Sequence, residues 1–225
     1  MGVEIISFGR GGSMPATQYA ETFNRVDQPF FLGNNWNFQP TISCADAPSA
    51  MAASVNVGAG SATIGGPASL NARSYFTPAF VDRAAVTSGM LTRGEFSQFT
   101  IRNVVPGLTG DFGPMVYNPN PNDSNGYMML LGSSTGIARL FRDMGPGATQ
   151  LVANLFTFLA NDIVRLEVTP GVASNSIRSF KNGVLQNTFV DNNALRPTAG
   201  GHYGIAWFSN NVGSISFSDY FGGLL

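Results

Sequence analysis

The chain has 225 residues, 44% of them hydrophobic, only 11% charged, and a net charge of −1. It is long and apolar enough to bury a full core, as one large β domain or two small ones, which excludes a disordered chain. With no basic stripe, phosphate-directed nucleic-acid binding is not expected; Cys44 stands alone, so neither an internal disulfide nor a cysteine-based zinc site can form.

Residues 1–20 read differently from the rest of the chain. Val3-Glu4-Ile5-Ile6-Ser7-Phe8 has the pattern of a short strand, and Gly9-Arg10-Gly11-Gly12-Ser13 that of a flexible link. The stretch reads as an N-terminal arm that adds a strand to a neighbouring subunit, with Val3, Ile5, Ile6, Phe8 and Arg10 as its assembly contacts. A frayed terminus is the alternative. Residues 21–225 form the predicted β-sandwich domain, which residues 21–42 open. Short strands are predicted at Ser54–Val57 and Ala62–Ile64, and Ala45–Ala53 is long enough for one helical turn. Three more strands are predicted at Arg73–Phe76, Ala85–Leu91 and Glu95–Val105.

Residues 117–126, Y-N-P-N-P-N-D-S-N-G, have the composition of a loop. Strands are predicted after it at Tyr127–Leu131, Ile137–Arg142 and Gln150–Phe156. From residue 161 to 221 the apolar/polar alternation has a period of two almost throughout. Asn182-Gly183 sits between two such runs, where both residues tolerate the positive φ of a tight hairpin turn. Arg165 and Glu167 fall on one face of a strand and are expected to pair or to face water. Strands at 8–12-residue spacing with no long helix indicate a sandwich or barrel.

Several of these segments resemble the concanavalin A-like lectin/glucanase family, including laminin-G-like modules. They are Phe23-Asn24-Arg25 with Asp27 and Leu32-Gly33 before Trp36, then Gly126–Leu130, Ile137–Arg142, Asp162–Val168, Asn182-Gly183-Val184 and Phe217–Gly223. The resemblance covers roughly residues 21–221 and concerns fold residues rather than catalytic ones. It implies an all-β, two-sheet antiparallel jelly-roll sandwich in which the first strand, near Phe23, pairs with the last, near Phe217. That pairing leaves residues 1–20 to project.

The chemistry-bearing residues are sparse. The glucanase branch of the family uses Glu-x-Asp-x-x-Glu along one strand, and that spacing does not occur here: Glu4, Glu21, Glu95 and Glu167 are isolated. His202 is the only histidine, too little for a triad or a histidine zinc site, and reads as a turn residue. The expectation is therefore no catalytic set. Sugar binding needs an exposed aromatic beside amides and carboxylates. Trp36 and Trp207 read as core residues, whereas Tyr117 beside the Asn-rich loop reads as an exposed platform. The candidate glycan site is Tyr117, Asn118, Asn120, Asn122, Asp123 and Asn125. The same loop offers oxygens of the kind calcium takes, but Asp123 is its single carboxylate, so no cofactor is expected and calcium remains the alternative.

Lys181 is the only lysine, so the surface is built from Asn, Ser, Thr and Gly. Such a surface suits packing in an assembly, and equally an ordinary polar β protein. No signal-peptide pattern opens the chain, and no apolar run approaches the roughly 18 residues of a membrane span. The first expectation is a non-catalytic structural module of a virus particle, of the kind the resemblance implies in phage virions. A capsid decoration (cement) protein or a tail or fibre component would fit. It would be located in the virion and meet other virion proteins and copies of itself, as a trimer or another homo-oligomer. The alternative is a carbohydrate-binding adhesion module that meets a cell-surface glycan; a polysaccharide-degrading enzyme comes third.

Overall fold

Alternation of apolar and polar residues gives each strand one face for a core, and two sheets stack those faces together. The computed structural model describes residues 18–21, 36–40, 54–58, 61–65, 72–78, 94–105, 110–118, 125–144, 148–200, 202–209 and 215–225. Within them run β1 (Gln18–Glu21), β2 (Trp36–Pro40), β3 (Ser54–Gly58), β4 (Ser61–Gly65) and β5 (Ala72–Pro78). Then come β6 (Glu95–Val104), β7 (Gly110–Asn118), β8 (Asn125–Gly132), β9 (Ile137–Met144) and β10 (Ala148–Thr157). The last five are β11 (Ile163–Pro170), β12 (Asn175–Lys181), β13 (Val184–Asp191), β14 (His202–Ser209) and β15 (Ile215–Leu224).

One sheet has eight strands in the order β13-β12-β11-β6-β15-β4-β3, with β1 also on β15; the other has seven, β10-β9-β8-β7-β14-β5-β2. Every pairing is antiparallel. This is the two-sheet jelly roll expected. Among the described residues no helix is long and apolar enough to cross a membrane. The predicted Ala85–Leu91 strand, the Ala45–Ala53 turn, Cys44 and the arm residues Val3, Ile5, Ile6, Phe8 and Arg10 lie outside the described residues.

Three expectations need correction. The strand that closes on the C-terminal strand is β1, with Gln18 opposite Gly223 and Glu21 opposite Tyr220, so the pairing precedes Phe23 and the expected boundary at residue 20 falls inside β1. The predicted loop 117–126 is strand at both of its ends: β7 runs to Asn118 and β8 starts at Asn125. The third correction is β7 itself, which the alternation does not reveal. From Phe112 to Asn118 it is buried on both faces, and it carries Gly113 and Pro114. Its register with β8 passes from Phe112–Leu131 to Met115–Met128 with no pairs between, as expected where Pro114 has no N–H to give.

The core lies between the sheets. Phe99 of β6 and Phe217 of β15 meet Phe112 of β7, with ring centroids 5.0–5.5 Å apart. Val164, Leu166 and Val168 on alternate positions of β11 join them, with Ile177, Met129, Leu131 and Ile205. Close aromatic packing adds roughly 0.5–1.5 kcal/mol per pair beyond the buried area.

The β12–β13 hairpin closes as the sequence requires. Asn182 (φ 51°) and Gly183 (φ 78°) both occupy the left-handed region, the geometry of a type I′ turn. The Asn182 side chain then fastens the turn to β11: its Oδ1 accepts from the Ile163 N–H at 2.8 Å and its Nδ2 donates to Asp162 Oδ1 at 2.7 Å. Lys181 Nζ lies 3.1 Å from Asp162 Oδ2, so the single lysine is committed to this clasp. Burial raises the Asp162 carboxyl, but the hydrogen bonds from Asn182, the Leu159 N–H and Lys181 outweigh it and hold it below its ordinary value. A lowered folded pKa stabilises above the ordinary carboxylate range and ceases to do so as pH falls through the folded value. Asp162→Asn is therefore expected to be less stable than the parent at neutral pH, with the gap closing on acidification; urea titrations of both chains across the acid range measure it.

Candidate functional site

Two buried polar clusters join the sheets, and one partly exposed polar pair lies on the outer face of the seven-stranded sheet. The first cluster surrounds Asp191 at the end of β13. Arg142 Nη1 donates to both of its carboxylate oxygens, at 2.9 and 3.0 Å, and Tyr127 Oη donates to Oδ2 at 2.8 Å. Asn175 Nδ2 donates to Tyr127 Oη at 3.0 Å and to the Pro197 carbonyl at 2.7 Å. All four side chains are buried. Tyr127 and Arg142 belong to one sheet, Asn175 and Asp191 to the other, so the network is a polar bolt through the core. Burial pushes the Tyr127 phenol far above its ordinary range, and its hydrogen bond to Asp191 adds to that; Asn175 and Arg142 oppose it.

The second cluster holds Tyr117. Its φ is +64°, unusual for a residue with a side chain, and its backbone N–H donates to Glu95 Oε2 of the opposite sheet at 2.7 Å. Gly200 lies so close that a Cβ there would collide with the Tyr117 ring and stand 2.5 Å from Glu95 Oε1. Burial lifts the Tyr117 phenol to about 12; the Glu95 carboxylate adds to the rise and Arg196 opposes it. Tyr117 is 1% exposed and Asn118 is fully buried. The expectation of Tyr117 as an exposed sugar platform is thereby corrected: β7 carries the ring into the core instead of ending in the loop. Asn125 begins β8, while Asn120, Asn122 and Asp123, including the calcium alternative, lie outside the described residues. Among the described residues no group of three His, Cys, Asp or Glu side chains is placed to hold a metal.

The third cluster was not legible as a site in the sequence. On β9, Ala138, Leu140 and Arg142 face the core, so Arg139 and Phe141 project from the opposite face. Arg139 Nη2 donates to Asp111 Oδ2 on β7 at 2.5 Å, reaching across β8. Gly132 makes that reach possible, because it stands directly opposite Asp111. A Cβ on it would meet Asp111 Oδ1 at 3.1 Å and Arg139 Nη2 at 3.3 Å. The Arg139 guanidinium also sits 5.7 Å from the Phe141 ring centroid. The Arg139 and Asp111 side chains remain 27% and 30% exposed. The rest of this face is apolar and covered: Met115, Met128, Leu130 and Ala206 are buried, with Phe141 and Ala148 against them. Partial burial raises the Asp111 carboxyl, opposed by the Arg139 charge and hydrogen bond. Strict alternation around Ala138 and Leu140 is the sequence signal that marks Arg139 and Phe141; Asp111 needed the register.

The arrangement bears on catalysis. Asp143 shares the outer face of β9 with Arg139 and Phe141. It stands opposite Gly126, whereas Asp111 stands opposite Gly132. Six positions along β8 is roughly 20 Å, well beyond the ~5–10 Å between the two carboxyls of a glycosidase. On the outer face of the other sheet, Glu167 is pinned as expected by Arg165, and also by Arg178, each at 2.6 Å. Arg165 in turn lies 3.9 Å over the Phe96 ring.

No protein-family model matches the chain, and no curated protein matches it. Solved structures do. An endo-1,3-β-glucanase from Streptomyces sioyaensis superposes with a TM-score of 0.56 at 12% identity, over 95% of this chain and 98% of that one. A protein of unknown function from Shewanella oneidensis MR-1 gives 0.56 at 10% identity, over 95% and 89%. The carbohydrate recognition domain of Emp46p in a potassium-bound form gives 0.51 at 12% identity, over 84% and 87%.

Removing Arg142 tests the polar bolt. Arg142→Met leaves the Asp191 carboxylate buried without its cation and is expected to cost about 3–5 kcal/mol of stability in denaturant titration; a cost below about 1 kcal/mol would show that the network does not hold the sheets. At 10–12% identity these likenesses establish architecture alone, and together with the sheet order they identify this chain's fold as a two-sheet antiparallel jelly roll of the concanavalin A-like type.

Proposed function

We propose that the chain is a non-catalytic carbohydrate-binding module whose ligand site is the partly exposed Asp111–Arg139 corner of the outer face of the seven-stranded sheet. The observation that carries the reading is the Asp111–Arg139 pair set across Gly132 beside Phe141. A sugar offers vicinal hydroxyls and an apolar ring face. A carboxylate and a planar guanidinium match the hydroxyls, and an aromatic ring matches the apolar face. The pair is partly desolvated, so its hydrogen bonds to a ligand meet little competition from water. The fold supports the reading, since it is shared with a glucanase and a carbohydrate recognition domain. The wide separation of Asp111 and Asp143 supports binding over hydrolysis.

A second reading, a structural module of a virus particle, rests on composition: 11% charged residues and one lysine suit a surface packed among neighbours. The two are compatible, because an adhesive component of a particle would do both. Binding is placed first because the Asp111–Arg139 pair offers it a candidate site.

A glycan panel tests it. The parent chain is expected to bind at least one glycan. Asp111→Asn and Arg139→Gln are each expected to weaken that binding about tenfold to hundredfold, since each strips a charged hydrogen-bonding group from the site. Gly132→Val provides a separate check, because it displaces both side chains while leaving their chemistry intact. Thermal melts of the three variants separate lost binding from lost fold. A panel without binders, or variants that bind like the parent, would overturn the proposal and leave the particle reading in front.

A further inference from the structure

Asn-Gly occurs twice in the chain, at Asn125-Gly126 and at Asn182-Gly183. A glycine after an asparagine leaves the backbone nitrogen unshielded beside the carboxamide, because it has no Cβ. Gly126 is buried in β8, paired against Asp143 of β9. Asn182 and Gly183 are exposed, and a Cβ on Gly183 would meet nothing within 4 Å. The second pair is therefore open to water, yet its carboxamide is held at both ends. Oδ1 accepts from the Ile163 N–H at 2.8 Å, and Nδ2 donates to Asp162 Oδ1 at 2.7 Å. The Asn182 backbone N–H also donates to the Ile163 carbonyl at 2.8 Å. Asp162 is itself fixed, by the Leu159 N–H at 2.8 Å and by Lys181 Nζ at 3.1 Å.

We infer that Asn182 is a modification site, deamidated by its own chain and water, that the clasp sets the rate, and that the product cannot rebuild the clasp. In the first step the Gly183 nitrogen gives up its proton and bonds to Asn182 Cγ. The Cγ–Nδ2 bond breaks, and Nδ2 leaves as ammonia with that proton. Water then opens the cyclic imide at either carbonyl, leaving aspartate or its β-linked isomer. Ring closure requires the carboxamide to release Ile163 and Asp162 together, so the reaction waits on a local opening of the turn. Either product carries a carboxylate in place of the amide. A carboxylate only accepts hydrogen bonds, and here it would face the Asp162 carboxylate, with Lys181 able to neutralise one of the two. The β-linked isomer also inserts a methylene into a turn where both residues hold a positive φ. Deamidation thus unfastens the β12–β13 turn from Asp162 and Ile163 for good. The inference is independent of the glycan reading, since this hairpin and Arg139 lie in different sheets.

The test ages the full chain in mildly alkaline buffer well below its melting temperature, with peptide mapping by mass spectrometry at both Asn-Gly pairs. Conversion at Asn182 is expected to outrun conversion at Asn125. In the folded chain it is expected to run about tenfold or more slower than in urea, where no clasp exists. Asp162→Ala removes the acceptor of Nδ2 and is expected to speed conversion of folded protein about threefold to tenfold, with thermal melts confirming the fold. Asn182→Asp reproduces one product and is expected to be less stable than the parent at neutral pH. Adding Asp162→Asn to that variant is expected to restore stability, because it returns a donor to the contact and removes one of the two charges. A defect confined to the turn would not be repaired that way. Conversion at Asn182 no faster than at Asn125, a rate indifferent to urea and to Asp162→Ala, or an Asn182→Asp chain as stable as the parent would each overturn the proposal. If Asp162→Ala fails to fold, the urea comparison and the paired substitution decide.

Discussion

Asp191 is a carboxylate with almost no access to water, and much of the sandwich is arranged around satisfying it. A buried charge is tolerable only when it is paired and hydrogen-bonded. Here Arg142 provides the charge, Tyr127 an O–H, and Asn193 a backbone N–H at 3.1 Å. Those groups come from β8, β9 and the segment after β13, so the condition is met only when the two sheets are stacked in the correct register. Apolar packing among Phe99, Phe112 and Phe217 pulls the sheets together without choosing among nearby registers; the polar bolt makes that choice. Glu95, receiving the Tyr117 N–H across the same interface, acts in the same way at another point.

Sequence patterning revealed the second half of this fold better than the first. β11 and β12 alternate cleanly because one face of each meets the core, β13 does so after its register shift at Gln186, and Asn182-Gly183 marks the β12–β13 hairpin. β7 did not reveal itself because it is central and covered on both faces. Its run Asp111-Phe112-Gly113-Pro114-Met115 contains the two residues that ordinarily punctuate turns. Tyr117 was misjudged for a related reason: its Asn- and Pro-rich neighbours spoke of a loop, but the strand ends one residue later and the ring is already inside. The Asp111–Arg139 pair joins residues 28 apart in sequence across an intervening strand. Local pattern holds half of that information, in the alternation around Arg139; the other half is a register, which emerges only when β7, β8 and β9 are laid side by side.

The two sheets divide the work. The eight-stranded sheet neutralises its outer face internally, with Glu167 clamped by two arginines and Arg165 laid over Phe96. The seven-stranded sheet instead keeps a partly exposed charged pair and an aromatic ring beside an otherwise buried apolar outer face. A chain with so few charges concentrates them where geometry needs them, and most of the described ones are consumed in holding the fold.

The most direct measurement is a titration of the isotope-labelled chain with short oligosaccharides, followed through its assigned amide and arginine side-chain resonances. The account predicts shifts that cluster on Asp111, Gly132, Arg139 and Phe141 and spare β11, β12 and β13. Shifts confined to the eight-stranded sheet, or none with any oligosaccharide, would contradict it.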